Sequence, residues 1–202
     1  MKPRKTTPRR RFRNFLINLN KDLLIIDKKI TQISCDNTYD ELHFYIMALE
    51  DRRFLKHSGV DFRSILREIF KLLSFRKFGG ASTIDMQMVR TITNFREKTI
   101  FRKLYEMILA SIINYRYTKE QILSCYLEHA FFGSKLIGIN KVVKSFDVSN
   151  IKELNEWQKA LIAASLQKPK PLKPNNHWKS SIRTRALYAQ RIRSRTIKYS
   201  KN

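Results

Sequence analysis

The sequence predicts a mainly α-helical fold built as a single domain. Three observations support this prediction: apolar residues recur at helical spacing, capping sequences precede several of these stretches, and no segment of useful length alternates like a strand. At 202 residues the chain can bury a sizeable core without disulfides or metal ions. Two cysteines, Cys35 and Cys125, are too few for a disulfide framework, although they leave a single bridge open.

The first two helices precede and carry a candidate carboxylate. One helix is predicted over 14–30, after a basic tail, and the next begins at a capping box formed by Thr38 and Glu41. The second helix is expected to end near Phe54. Glu50 lies at the edge of its apolar face, where a boundary carboxylate paired with a neighbouring arginine is the simplest interpretation. The core face itself consists of Leu42, Tyr45, Ile46 and Leu49.

The middle of the chain adds two capped helices and a loop. A helix capped by Asp61 is predicted over 62–73. Its apolar stripe is expected to be buried and comprises Ile65, Leu66, Ile69, Phe70 and Leu73. The segment 75–80 mixes basic and aromatic residues before paired glycines, and could cover a site or dip into lipid. Ser82 or Thr83 then caps a helix whose N-terminus suits a phosphate group.

The second half of the chain continues in helices. A helix is predicted over 99–117, with a buried face of Leu104, Ile108, Ser111, Ile112 and Tyr115. Glu106 lies off that face, one turn after Arg102, so the two residues are most simply a surface ion pair. Later helices are predicted from the capping box of Thr118 and Gln121 to about 132, from that of Asn155 and Gln158 to about 166, and over 178–197 after a proline-rich exit at 168–174.

The charge distribution implies an acidic partner. The formal net charge is +24, seven of residues 1–13 are Lys or Arg, and no acidic residue follows Glu156. Basic ends beside an apolar-rich body fit an anionic membrane surface or non-specific DNA binding. No helix-turn-helix pattern is present to favour DNA. Polar residues interrupt the segment 15–26, so neither a membrane-spanning helix nor a signal peptide is predicted.

Four blocks, in order, carry a resemblance to a known family. They are ALEDRRFLKHSGVD at 48–61, GASTIDMQMVRT at 80–91, RKLYE at 102–106 and KEQILSCYL at 119–127. Together they resemble the family 51 glycosyltransferases, peptidoglycan polymerases found alone or fused to penicillin-binding transpeptidases. The match covers about 40–175. It implies a lysozyme-like glycosyltransferase domain over 38–175, between a basic tail with a leading helix (1–37) and a basic C-terminal helix (176–202).

The resemblance also implies roles for individual residues. Glu50 matches the general base that deprotonates the acceptor sugar, and nearby Arg52 and Arg53 are expected to favour its charged form. Glu106 matches a second catalytic carboxylate, which orients cations or assists departure of the leaving group. The positions that bind pyrophosphate correspond to Arg90, Arg102 and Lys103. The other substrate-binding positions, which shape the cleft, correspond to Asp51, Phe54, His57, Gly80, Ser82, Thr83 and Gln87.

Partners and cofactors follow from the same resemblance. The substrates implied are lipid II and the lipid-linked glycan chain, joined with inversion and release of undecaprenyl pyrophosphate. An anionic membrane surface and a transpeptidase are the other expected partners, and nucleic acid is not. The expected location is peripheral, on the periplasmic or outer face of the plasma membrane. No cofactor is expected to be required, although Mg²⁺ or Mn²⁺ could bind. Cys125 and His129 could form half a metal site, but no second pair of ligands is evident.

Several positions depart from the family pattern, namely Asp85, Met86, Thr91 and Glu128. Asp85 stands where Thr or Ser is usual, and its charge near a pyrophosphate site is expected to weaken donor binding. These departures support an alternative: a weak or inactive member that binds peptidoglycan precursors or cell-wall partners. A lysozyme-like muramidase is a further alternative, because paired carboxylates also serve hydrolysis. The cluster of cations favours a pyrophosphate leaving group instead.

Overall fold

A computed structural model describes residues 7–34, 39–74, 80–95, 97 and 99–200. The α-helices within these residues are α1 (Pro8–Thr31), α2 (Glu41–Glu50), α3 (Phe62–Leu73), α4 (Ile84–Thr93), α5 (Ile100–Arg116), α6 (Lys119–His129), α7 (Ile139–Lys144), α8 (Glu156–Gln167) and α9 (Asn176–Ser200). Short 3₁₀ helices span Phe54–Lys56 and Ile151–Glu153, and β1 (Phe131–Gly133) pairs antiparallel with β2 (Leu136–Ile137). The predicted all-α fold of a single lysozyme-like domain is confirmed.

Local capping chemistry places three of the helices as predicted. Thr83 is the N-cap of α4, and its Oγ accepts from the backbone N–H of Met86. The capping box of Thr118 and Gln121 begins α6, and that of Asn155 and Gln158 begins α8. In each case the side chain satisfies a backbone donor that the first helical turn leaves without a partner.

Other helix boundaries differ from the prediction. The N-cap of α2 is Asp40, which forms its capping box with His43; Thr38 lies outside the described residues. The helix ends at Glu50 because Asp51 adopts an extended φ of −156°. α1 begins earlier than expected, at Pro8, since proline is tolerated in a first helical turn. The β1–β2 hairpin and α7 were not predicted.

The core is organised around α2. Every residue from 45 to 49 is buried, and this helix packs against α8 and α9, while Asp51 at its end contacts the start of α4. α4 packs against α5 and α6, and α1 lies against α4 and α6. The C-terminal end of α2 is therefore held in place by elements from both halves of the chain.

Two predicted buried faces are wrong. The apolar stripe of α3 faces outward, with Leu66 55% and Phe70 66% exposed, because no described element packs over it. In α5 the predicted face is also largely outward, and Tyr115 is 93% exposed. The structure buries the adjacent face instead, which comprises Tyr105, Glu106, Leu109, Ala110 and Ile113.

Side-chain hydrogen bonds attach the last helix, α9, to the rest of the domain. Arg193 donates to the hydroxyl of Tyr45 in α2 at 2.9 Å and to Glu156 in α8 at 2.8 Å. Near the middle of α9, the Tyr188 hydroxyl accepts from Arg52 at 2.7 Å. The predicted boundary at 175/176 thus falls between elements that pack together, and the division into a domain and flanking segments stays a prediction.

Among the described helices, none combines the length and the apolar composition that crossing a bilayer requires. Cys125 is a buried free thiol, whereas Cys35 lies outside the described residues. The basic and aromatic stretch over 75–79 is also outside them, so its expected contact with a site or with lipid stays a prediction.

Candidate active site

A cavity of about 630 Å³ opens at the C-terminal end of α2. Six of the residues predicted from the sequence line it: Glu50, Asp51, Gly80, Ser82, Thr83 and Gln87. Gly80 has a φ of 100°, a backbone conformation that residues other than glycine rarely adopt, so the cavity wall favours glycine there. Residues separated by more than thirty positions thus meet at one opening.

One carboxylate oxygen of Glu50 accepts a hydrogen bond, and the other has no hydrogen-bond partner among the described residues. Its Oε2 accepts a hydrogen bond from Gln87 Nε2 at 2.9 Å, and Gln87 Oε1 in turn accepts from the Tyr126 hydroxyl at 2.8 Å. Its Oε1 is buried and has no hydrogen-bond partner among the described residues. A carboxylate oxygen in this state is suited to accept a proton from a bound hydroxyl group.

The electrostatic environment of Glu50 differs from the prediction. Burial raises the pKa of Glu50 above its ordinary value, the side-chain amides of Gln87 and Gln167 and the charge of Arg185 oppose this rise, and Asp51 adds to it. The expected support from the two arginines that follow is absent: Arg52 donates to Tyr188, and Arg53 Nε lies 3.1 Å from Asp61 Oδ2.

Asp51 fastens the end of α2 to the start of α4. Its Oδ2 accepts from the backbone N–H of Ile84 at 3.1 Å and lies 2.8 Å from His57 Nε2, while Oδ1 accepts from the backbone N–H of Arg53 at 3.2 Å. Both oxygens are therefore engaged within the protein. Although Asp51 borders the cavity, its contacts orient Glu50 and α4.

Phe54 and His57 lie beneath the cavity and do not line it. Phe54 is 1% exposed, and the Lys119 ammonium lies 4.3 Å from the centroid of its ring. The His57 side chain is 4% exposed, with Nε2 facing Asp51 and Nδ1 4.0 Å from Asp85 Oδ2. These two residues support the wall from behind.

The negative charge of Asp85 is compensated by partners inside the protein. Lys119 Nζ lies 3.0 and 3.1 Å from its two carboxylate oxygens, and Asn114 Nδ2 donates to Oδ1 at 2.8 Å. The side chain is fully buried and does not line the cavity. The geometry therefore gives no support to the expectation that Asp85 weakens donor binding, because its partner cation is Lys119.

Three potential metal ligands lie close together, with a lysine ammonium group beside one of them. Ligand atoms of Asp51, His57 and Asp85 lie within 4.8 Å of one another, but the Lys119 ammonium takes the position of a cation beside Asp85. Cys125 does not join His129 in a half-site: His129 Nδ1 lies 3.0 Å from the Cys125 carbonyl oxygen. Burial raises the pKa of the Cys125 thiol to about 12, which disfavours the thiolate that a metal needs.

Glu106 is the centre of a cluster of cations. It is fully buried, with Arg102 Nη1 at 3.4 Å and Arg90 Nε at 3.5 Å from Oε1, and Lys103 Nζ at 3.8 Å from Oε2. The predicted ion pair of Arg102 and Glu106 is present, but its expected surface location is wrong, since the carboxylate faces the interior. Neither of its oxygens has a hydrogen-bond partner among the described residues, and Arg102 Nε has none. Arg102 Nη1 also lies 3.5 Å from the Phe95 carbonyl oxygen, so the cluster is held by charge and by neighbouring polar groups.

Helix α4 brings the two carboxylates into one site. Gln87, which holds Glu50, and Arg90, which faces Glu106, are three positions apart and share a face of the helix. Lys103 Nζ also donates to Ser82 Oγ at 2.8 Å, and Ser82 lines the Glu50 cavity. Gln87 and Arg90, one helical turn apart, thus link Glu50 to the cations around Glu106.

Sequence reasoning missed three polar side chains around Glu50. Tyr126 supports Gln87, Gln167 donates from Nε2 to the Leu49 carbonyl at 2.7 Å, and Arg185 lines the cavity. Gln167 follows a helix that was predicted to be central, immediately before the proline-rich exit, and this position was a usable signal. Arg185 is one of many basic residues in α9, and nothing in the sequence singles it out.

The buried helical core thus presents one carboxylate, Glu50, to a cavity and surrounds a second, Glu106, with three cations. The profile of the family described as Transglycosylase matches residues 22–193. The chain therefore belongs to this family, and the resemblance to the family 51 glycosyltransferases is confirmed.

Curated relatives from several bacteria are similar to this chain. Penicillin-binding protein 1A of Rickettsia felis is 35% identical over 136 residues, which cover 65% of this chain and 17% of that protein. The monofunctional glycosyltransferase of Staphylococcus haemolyticus is 28% identical over 173 residues, 81% of this chain and 64% of that protein. Penicillin-binding protein 1A of Clostridium tetani is 33% identical over 153 residues, covering 73% and 19%. The chain spans less than two thirds of each relative's length.

Proposed function

We propose that this protein is a peptidoglycan glycosyltransferase that polymerises lipid II into glycan strands with inversion. The observation that carries this proposal is the placement of Glu50 at a cavity, held by Gln87, which lies one turn of α4 before Arg90 in the cluster of three cations around Glu106. Family membership and the named relatives support the same reaction class.

The proposed reaction is a single displacement. Glu50 Oε1 takes the proton of the acceptor's 4-hydroxyl as that oxygen bonds to the donor's anomeric carbon. The bond from that carbon to the phosphate oxygen breaks, and its electron pair leaves with undecaprenyl pyrophosphate. Arg90, Arg102 and Lys103 stabilise the negative charge that develops there, so no general acid is needed.

We propose that a divalent ion is not required. Glu106 is a single carboxylate already surrounded by three cations, whereas Mg²⁺ prefers several oxygen ligands in octahedral geometry. The fixed cations supply the charge that a metal would otherwise bring to the pyrophosphate.

We also propose that the protein works at an anionic membrane surface on the periplasmic or outer face, where lipid-linked substrates are displayed. The outward apolar stripe of α3 supports this, because Leu66, Phe70 and Leu73 are exposed beside basic residues of the same helix. The net charge of +24 adds long-range attraction to anionic lipid. Crosslinking of the product is assigned to a transpeptidase partner.

The test is incubation of the purified protein with labelled lipid II in detergent, with and without Mg²⁺. We expect long uncrosslinked glycan, inverted at the new linkage and blocked by moenomycin, which resembles the lipid-linked donor. Lipid II that is bound but left intact at saturating enzyme would instead support the alternative of a precursor-binding family member. The substitutions at Thr91 and Glu128 are the features that favour that alternative.

A further inference from the structure

Five cations line the cavity that contains Glu50, and one of them differs from the rest. Four are bonded to other groups: Arg52 to Tyr188, Arg53 to Asp61, and Arg67 and Lys71 to Glu68. The fifth is Arg185 of α9. No carboxylate lies within salt-bridge distance of it among the described residues, and its Nε is buried without a hydrogen-bond partner.

The position of Arg185 is set by contacts along α9. Its guanidinium lies 5.0 Å from the centroid of the Tyr188 ring, one turn further along the helix. The Tyr188 hydroxyl accepts from Arg52, and Arg193 anchors the same helix to α2 and α8. Arg185 is therefore held at the cavity wall by a rigid element.

Glu50 occupies an environment that favours the neutral acid. Its Oε1 is buried without a partner, and the adjacent carboxylate Asp51 adds negative charge. The other titratable groups that face this region are the Tyr126 hydroxyl from α6, Arg52, Arg53 and Asp61 from the loop after α2, and Arg67, Glu68 and Lys71 from α3. Arg53, Arg67 and Lys71 face carboxylates and Arg52 donates to Tyr188, whereas the charge of Arg185 acts on Glu50.

We propose that Arg185 is a positioning residue whose guanidinium keeps Glu50 ionised inside the cavity, so that the carboxylate can act as a base. The charge of Arg185 lowers the pKa of Glu50 against the effect of burial, which agrees with this role. The identity of the catalysed reaction rests on the proposed function, whereas the pairing rests on two side chains that line one cavity and on the charge of Arg185 acting on Glu50.

A substrate-free titration tests the pairing directly. The Glu50 carboxyl carbon is followed by NMR in protein labelled with ¹³C-glutamate, and Glu50→Gln assigns the signal. In Arg185→Gln and Arg185→Met the midpoint is expected to move to higher pH, and in Arg185→Lys to stay close to the parent. Arg191→Gln, which removes an exposed charge from the same helix, serves as the control. An unmoved midpoint in the folded neutral variants would overturn the proposal.

Turnover of lipid II supplies the second readout. The acid limb of kcat is expected to move to higher pH in Arg185→Gln, with activity recovering in alkaline buffer and in Arg185→Lys. A loss that is equal at every pH, or a rise in KM alone, would show a structural or substrate-binding role and sink the proposal. If the midpoint moves but the parent protein leaves lipid II intact, the proposed function fails while the pairing stands.

Discussion

The ammonium group of Lys119 and the carboxylate of Asp85 form a buried ion pair, with Nζ 3.0 and 3.1 Å from the two oxygens. Asp85 has no exposed surface, and Lys119 also covers the ring of Phe54. The pair thus joins α4 to α6 directly behind the cavity wall that contains Gln87.

Breaking this pair on one side should be costly. Lys119→Met leaves Asp85 buried without its cation, and we expect a loss of about 3–5 kcal/mol in the free energy of unfolding. Adding Asp85→Asn should recover part of that loss, because the uncompensated charge is gone. Urea denaturation measures both, with Lys144→Met on the exposed side of α7 as a control that changes stability by about 0.5 kcal/mol or less. A double variant as unstable as Lys119→Met would contradict the coupling.

Glu50→Gln should separate chemistry from binding. The amide keeps the size and the hydrogen bond to Gln87 but cannot accept the proton, so the rate should fall by roughly 10²- to 10⁴-fold. Donor affinity should change little, because the cations near Glu106 are untouched. Lipid II turnover and equilibrium binding are the measurements. Near-normal turnover would leave Glu50 as a structural carboxylate.

The activity should depend on pH in a direction set by burial. Because burial raises the pKa of Glu50 above 4.5, the ionised base is lost as the pH falls, at a pH higher than an exposed glutamate requires. The acid limb of the kcat profile should therefore lie above that value. A profile that stays flat down to pH 4.5 would argue against Glu50 as the base.

Glu106 and Arg102 should act as one unit. Glu106→Gln and Arg102→Ala should each weaken binding of a lipid pyrophosphate and slow turnover, since both disturb the same cluster. The double variant should lose less than the sum of the two single losses, by about 0.5–3 kcal/mol. Titration with farnesyl pyrophosphate provides the affinities, and Arg191→Ala is the charge control. Strict additivity would place the two residues in separate functions.

Membrane binding should depend on the outward face of α3. Replacing Leu66 and Phe70 together by Ser should weaken binding to anionic liposomes by tenfold or more, because each apolar side chain contributes about 1.5–3 kcal/mol when fully buried. The matched control replaces Leu172 and Tyr115, which are exposed elsewhere. Flotation at low and high salt separates the apolar and electrostatic parts. Equal loss in the control pair would refute a specific role for α3.

Chelation should leave the reaction intact. EDTA is expected to change the rate by less than about twofold, because Arg90, Arg102 and Lys103, which surround Glu106, are proposed to stabilise the leaving pyrophosphate. The comparison uses lipid II with EDTA and with EDTA plus excess Mg²⁺ or Mn²⁺. A rate that disappears with EDTA and returns with one metal would show that the cluster is incomplete without it.

The sequence predicts helices and caps well because these depend on neighbouring residues. Thr83, Thr118 and Asn155 each satisfy a backbone group within their own helix, so the pattern is sufficient to place them. It predicts burial less well. The stripe of α3 is strongly amphipathic, but periodicity shows only that one face is apolar and not whether protein covers it.

Helix α5 also shows that periodicity does not determine which face is buried. It carries apolar residues on two adjacent faces, and a charged residue such as Glu106 argued against the face that is actually buried. Only the long-range partners, Arg90 in α4 above all, explain why that carboxylate is inside. Arg185 could not be found for a related reason, since its position depends on how α9 packs against α2.

The hydrogen bond between Tyr188 of α9 and Arg52 after α2 also determines when the cavity can form during translation. Arg52 and Tyr188 are 136 residues apart, so a ribosome adding 5–20 residues per second separates them by roughly 7 to 27 s. Throughout that interval α2 lacks its covering helix, and Glu50 stands at a surface that has no wall on that side. The pocket is therefore a late product of translation. A nascent chain that stalls before α9 should carry Glu50 and the cations around Glu106 while exposing α2, a core helix, to proteolysis.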